Sequence, residues 1–78
     1  MRLTLQSPTE HRVLDVTWIE LTCTSGNLVI MPGHAPLLAR LKPQSQIMLG
    51  IGTQKQVFTV SGGLVEVARE EVRVLLAV

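Results

Sequence analysis

Along this chain the apolar residues, many of them β-branched, recur at a spacing of two, and Gly or Pro interrupts them about every ten residues. Side chains two apart share one face of a strand and no face of a helix, so the pattern commits the chain to short strands joined by turns. Leu3 and Leu5 alternate with Arg2, Thr4 and Gln6 until Ser7 and Pro8 break the run, because proline has no N–H for a ladder. Strands are predicted over His11 to Val16 and Trp18 to Cys23, with Trp18 as the large aromatic available to anchor a core. Thr24, Ser25, Gly26 and Asn27 form a turn cluster. Leu28 to Met31 is a continuous apolar run stopped by Pro32 and Gly33, which suits an interior strand covered on both faces. Leu37, Leu38 and Leu41 fit helical spacing, but Pro36 and Pro43 leave room for a turn or so, so this segment reads as extended. Ile47 to Ile51 and Gln56 to Val60 form a hairpin around Gly50, Gly52 and Thr53. Ser61, Gly62 and Gly63 make a tight hairpin into Leu64, Val65 and Val67, and Val72 to Val78 closes the chain as a strand. Some nine short strands in one small domain spanning residues 1–78 predict an all-β flattened barrel or two-sheet sandwich.

The 78 residues are 46% hydrophobic and 17% charged, with a formal net charge of +1. A chain this short buries only about 60% of the surface that its unfolded form exposes, so marginal or partner-assisted stability is expected. Near-neutral charge argues against a dedicated DNA-binding module or a polybasic membrane anchor. One Trp, one Phe and no Tyr offer no stacking platform for single-stranded nucleic acid. The single Cys23 and the absence of an apolar run at the start predict no internal disulfide, no signal peptide and a reducing, cytoplasm-like compartment. No stretch approaches the 18 or so apolar residues of a membrane-spanning helix. From Leu21 to Val65 the only charges are Arg40, Lys42 and Lys55. If they share a face they steer an acidic partner; otherwise they are solvated charges that keep strand edges from pairing.

An enzyme needs a nucleophile, a base or a metal in convergent geometry, and the inventory here is thin. His11, His34 and Cys23 match no compact zinc spacing. Cys23 at the end of an apolar strand reads as a small buried hydrophobe in preference to half of a Cys23–His34 nucleophilic pair. Met31 and Met48 read as core filling. Ser61-Gly62-Gly63 is followed by no helix signal and lacks the helix N-terminus on which phosphate loops depend. No catalytic residue, cofactor or metal is expected. Met31-Pro-Gly-His-Ala-Pro36 stands apart, because two prolines around Gly-His-Ala impose a fixed bend. His34 in such a bend is expected to cap a backbone carbonyl with its ring.

Two blocks, Leu28-Val-Ile-Met-Pro-Gly-His-Ala-Pro-Leu-Leu38 followed by Leu41-Lys-Pro43, and Val60-Ser-Gly-Gly-Leu-Val-Glu-Val67 before a terminal Val-x-Val-Leu strand, resemble the N-terminal domain of the ATP synthase epsilon subunit. The resemblance runs from Leu3 to Val78 and includes the opening Leu-x-Leu-x-Ser-Pro. It implies a flattened β-sandwich of nine to ten mainly antiparallel strands. The function that it implies is that of a non-catalytic central-stalk rotor subunit, held between the gamma subunit and the c ring and coupling proton-driven rotation to ATP synthesis. Whether protons or sodium drive it is left open. By the same resemblance Ser7 and the bend at His34, with Leu37 and Leu38, face gamma, and the turn at Gly26 and Asn27 approaches the c ring. The implied location is peripheral, through protein contacts, on the cytoplasmic face of a bacterial membrane or its organelle equivalent. The family's usual C-terminal helical hairpin has no counterpart here, so the regulatory roles tied to it are not expected. Asn27 stands where the family is often acidic, and Val29 and Gln44 where it often has Gly. The competing expectation is a free-standing β-sandwich adaptor with another protein partner. Docking on gamma predicts one sheet face with a contiguous exposed apolar patch, for which Leu37, Leu38 and Val65 are the candidates.

Overall fold

The computed structural model describes residues 1–77 as nine strands. These are β1 (Arg2–Gln6), β2 (His11–Asp15), β3 (Trp18–Cys23), β4 (Gly26–Ile30), β5 (Leu37–Leu41), β6 (Ser45–Ile51), β7 (Gln54–Val60), β8 (Gly63–Val67) and β9 (Glu71–Leu76). The expected final strand therefore stops at Leu76, and Val78 lies outside the described residues. The sheet follows the path β2-β1-β9-β8-β5-β3-β6-β7, with β4 on the other edge of β3. Every pairing is antiparallel except β1 with β9. β5 touches β3 at a single pair, Cys23 opposite Leu41, and there the sheet folds over. One layer is β2-β1-β9-β8-β5 and the other is β4-β3-β6-β7, a curled half-barrel within the all-β class that the two-residue spacing predicts.

Alternation decides what fills the space between the layers. Leu3, Val65, Val67, Val72 and Val74 point inward from the first layer and meet Ile19, Leu21, Ile30, Ile47 and Leu49 from the second. Burying each such side chain stabilises the fold by about 1.5–3 kcal/mol. The core is almost wholly aliphatic, because both aromatic residues lie half-buried at its rim. Trp18 is not the core anchor expected of it. With Glu20 and Thr22 it occupies the outer face of β3, and its indole lies over Gly50, the residue opposite it on β6, where a Cβ would overlap the ring.

Other expectations fail because strand neighbours are set by the fold. β4 is an edge strand with β3 as its one partner. Within its apolar run Ile30 is buried, while Val29 and the following Met31 are 47% and 56% exposed, so Met31 fills no core. Ser61–Gly62 is not a hairpin: β7 ends the sheet path, whereas β8 lies between β5 and β9, and the segment crosses from one layer to the other. Hydrogen bonds from Gln44 N to Ser61 O (3.4 Å) and from Ala77 N to Gly62 O (3.0 Å) hold the crossing. Arg40 and Lys55 share no face, since Arg40 lies on the outer side of β5 and Lys55 opposite Gly50 on β7. They read as solvated strand charges.

The loops fall at two ends. Ser7–Glu10, Thr24–Ser25, Lys42–Gln44 and Ser61–Gly62 lie at the end where the sheet folds over; Val16–Thr17, Met31–Pro36, Gly52–Thr53 and Ala68–Glu70 lie at the other. Gln44, where the resembled family often has Gly, holds φ at 55°, a left-handed conformation that costs a non-glycine residue about 1–2 kcal/mol. Ser45 Oγ donates to Lys42 O at 2.6 Å and pins the turn that imposes it.

Candidate functional site

The residues expected to face partners are separated by the length of the strands. Ser7 closes β1 at the fold-over end. Its N–H donates to Glu10 O at 2.8 Å, and its Oγ accepts from Thr9 N at 3.3 Å, giving a four-residue loop between β1 and β2. His34 lies at the opposite end, in the bend whose turn is closed by His34 N donating to Met31 O at 3.1 Å. Its Nδ1 lies 2.7 Å from Ala35 O. A carbonyl only accepts, so Nδ1 carries the proton and the ring caps the backbone, as expected for a histidine between two prolines. Ser7 and His34 are therefore not neighbours, and one partner reaching both must run along the strands.

Leu37 and Leu38 begin β5 at the His34 end. Leu37 is half-buried and packs against the core, whereas Leu38 is 68% exposed. Val65, named with them as a surface candidate, is wholly buried. The register explains the exchange. Val65 pairs with Ala39 and Val74 on the inner side of the sheet, while Leu64 pairs with Arg40 and Leu75 on the outer side. Leu64, Leu75 and Leu38 are the exposed leucines of this layer, with Leu64 directly across from Leu75 and one diagonal step from Leu38. A one-residue shift flips a strand's faces, which is why Leu64 and Leu75 escape a reading of the sequence. The alternation of Leu64 and Glu66 against Val65 and Val67 is the signal that could have found them.

Charges frame the patch. Arg73 Nη1 lies 3.7 Å from Glu66 Oε1, and Arg2 Nη2 donates to Glu71 Oε2 at 3.0 Å on the same face. Both pairs are solvated and add little stability; with Glu66 across from Leu38 and Arg40 across from Leu64, charged side chains alternate with the leucines on this face.

Gly26 and Asn27 open β4, on the second layer and at the Ser7 end. The turn is tighter than the four-residue cluster suggests, since Cys23 pairs with Gly26 and only Thr24 and Ser25 lie between. Asn27 Nδ2 donates to Glu20 Oε2 at 3.3 Å. An acid at position 27 would face that carboxylate across the same outer surface, so asparagine suits its neighbour. Val29, the residue opposite Glu20, points outward and is about half exposed.

No pair of reactive groups converges from Cys23 and His34. Cys23 is 4% exposed in the core at the fold-over, where burial pushes its thiol above the usual 9.0, while His34 lies at the far end. Among the described residues no three His, Cys, Asp or Glu side chains gather as a metal site, and no helix is long and apolar enough to cross a membrane.

The geometry is that of a known domain. A family model of the ATP synthase delta/epsilon chain beta-sandwich domain matches residues 2–77. The ATP synthase epsilon chain of Xylella fastidiosa is 36% identical over 61 residues, covering 78% of this chain and 44% of that one. Among solved structures, a chain of the Euglena gracilis mitochondrial ATP synthase OSCP/F1/c-ring assembly has the same fold, with a TM-score of 0.87 at 23% identity over 95% of this chain and 48% of the other. A chain of the Tetrahymena thermophila mitochondrial ATP synthase central stalk and c ring gives 0.81 at 19% identity over 99% of this chain and 63% of the other. The chain spans about half the length of the curated relative that it matches. With the match running through all nine strands, the chain belongs to the ATP synthase delta/epsilon chain beta-sandwich family.

Proposed function

We propose that this chain is a non-catalytic central-stalk subunit of an F-type ATP synthase, a rotor element that links gamma to the c ring and transmits ion-driven rotation to ATP synthesis. The observation that carries the reading is the family match over residues 2–77, and the surface supports it. An outer sheet face with Leu38, Leu64 and Leu75 exposed together is what docking on gamma requires. A gamma contact that takes in Ser7, His34, Leu37 and Leu38 runs the length of the first layer across these leucines. The turn at Gly26 and Asn27, on the other layer, is left for the c ring. The chain then sits peripherally at the membrane, on the cytoplasmic face in a bacterium, held by protein contacts, and works without a cofactor of its own.

The test is co-expression with the gamma subunit of the same source, followed by size-exclusion chromatography and a dissociation constant. A one-to-one complex is expected, and Leu38→Ser and Leu64→Ser are each expected to weaken it by at least about tenfold, as for apolar residues central to an interface. Their melting temperatures should stay within about 2 °C of the parent, because both side chains are exposed. No association at tens of micromolar, about −6 kcal/mol on the affinity scale, overturns the reading and leaves a free-standing adaptor with another partner.

A further inference from the structure

The sheet path has two ends, β2 and β7, and no backbone pairing joins them in the described residues. They nevertheless approach one another. The Arg12 guanidinium of β2 stands over the Phe58 ring of β7, 5.9 Å from its centroid. Beneath this contact lies a cleft of about 180 Å3 with Leu5, Ile47, Val60 and Leu76 in its lining. Arg12 faces inward, since it pairs with the buried Leu5 of β1, and Phe58 faces inward opposite the buried Ile47 of β6. Two inward positions of facing layers thus meet, one occupied by a cation and the other by an aromatic ring. β2 is also the least buried strand: of its five residues only Leu14 is even half-buried.

We propose that the Arg12–Phe58 contact is a clasp that holds the open seam of the half-barrel shut, with the edge strand β2 as the movable flap that peels from β1. A cation over a ring at an exposed rim is worth enough to shift an opening equilibrium by about two- to fivefold. β2 gains little from burial and is held otherwise by its ladder to β1, so the clasp biases how often that ladder opens. Local opening of this kind exposes the apolar lining of the cleft without unfolding the strands behind it, as weakly held units open below the global stability. Glu10 and Arg12 both line the cleft, but no ion pair joins them among the described residues, so the ring is the partner that restrains the guanidinium.

Hydrogen exchange resolved by residue, on the full chain, tests this. Phe58→Leu keeps an apolar side chain and removes the π face; Arg12→Met keeps the alkyl stem and removes the charge. Each is expected to speed exchange of the β1–β2 ladder amides by about two- to fivefold, leaving the β3–β6 ladder at its parent rate, and the double variant is expected to add nothing beyond either single one. An unchanged β1–β2 ladder overturns the clasp. So does an equal acceleration in the β3–β6 ladder, which reports global destabilisation, and so do single effects that multiply in the double variant.

Discussion

Gly26 and Gly63 stand on one register row, Gly26–Cys23–Leu41–Gly63–Leu76, that crosses the fold-over from the outer edge of β4 to the middle of the first layer. Both open a strand, and both hold a φ that side chains rarely adopt, 133° and 141°. Their surroundings differ. A Cβ at Gly26 would meet open space, whereas one at Gly63 would overlap the carbonyl oxygen of Leu75 on β9. β4 has one neighbour, while β8 has two and lies where the crossing chain from β7 enters. Gly26 answers only to the local turn, and Gly63 answers to the turn and to the close approach of another strand.

Alanine at each position separates the two demands. Gly63→Ala is expected to cost about 4 kcal/mol or more, because backbone strain is joined by a clash with backbone that cannot move aside. Gly26→Ala is expected to cost about 1–3 kcal/mol from strain alone. Urea denaturation of the pair checks this, and equal losses would dissolve the distinction. The same contrast holds farther along each strand for side chains. Val65→Ala, in the sealed core, should lose about 2–3 kcal/mol, and Val29→Ala, on the outer face of the edge strand, less than about 0.5 kcal/mol. A loss at Val29 as large as that at Val65 would mean that β4 is covered.

The smallest expected effect comes from Cys23, between the two glycines on the row. Its thiol is held above the ordinary 9.0 by desolvation, so the folded chain keeps a proton that the unfolded chain gives up first. The contribution to stability is intact below pH 9 and falls as pH rises through the unfolded and then the folded value. Cys23→Ala should remove that slope from the stability profile above pH 9, measured by denaturation at intervals of pH. An unchanged slope would show that other groups produce it. Alkylation of the folded chain should likewise be slower than that of a free thiol.

The legible part of this protein lies in local rules. Alternation at Leu3 and Leu5 and at Ile19, Leu21 and Cys23 gives strands whose inward residues form the core, and Pro32 with Pro36 gives the bend at His34. The ring of His34 on a carbonyl follows from residue type and turn. Neighbour relations were not legible. Leu28 to Met31 looks interior by composition, yet β4 lies at an edge; Ser61 to Gly63 looks like a hairpin, yet it crosses between layers. The candidate surface was half legible: Leu38 was visible as an apolar residue in a short extended segment, but Leu64 and Leu75 emerge only once β5, β8 and β9 lie side by side.

Sequence alone determined that the chain is β, where its strands break and which residues can fill an aliphatic core, because those properties depend on side-chain period and turn chemistry within a few residues. The two blocks around His34 and Gly63 also carry the family. Tertiary structure decided that β1 lies parallel to β9, that Ser7 and His34 stand at opposite ends, that Trp18 covers Gly50 from outside, and that Arg12 reaches Phe58 across the seam. Each of these is a contact between segments distant in the chain, and a strand's pattern states which face is apolar without stating what lies beside it.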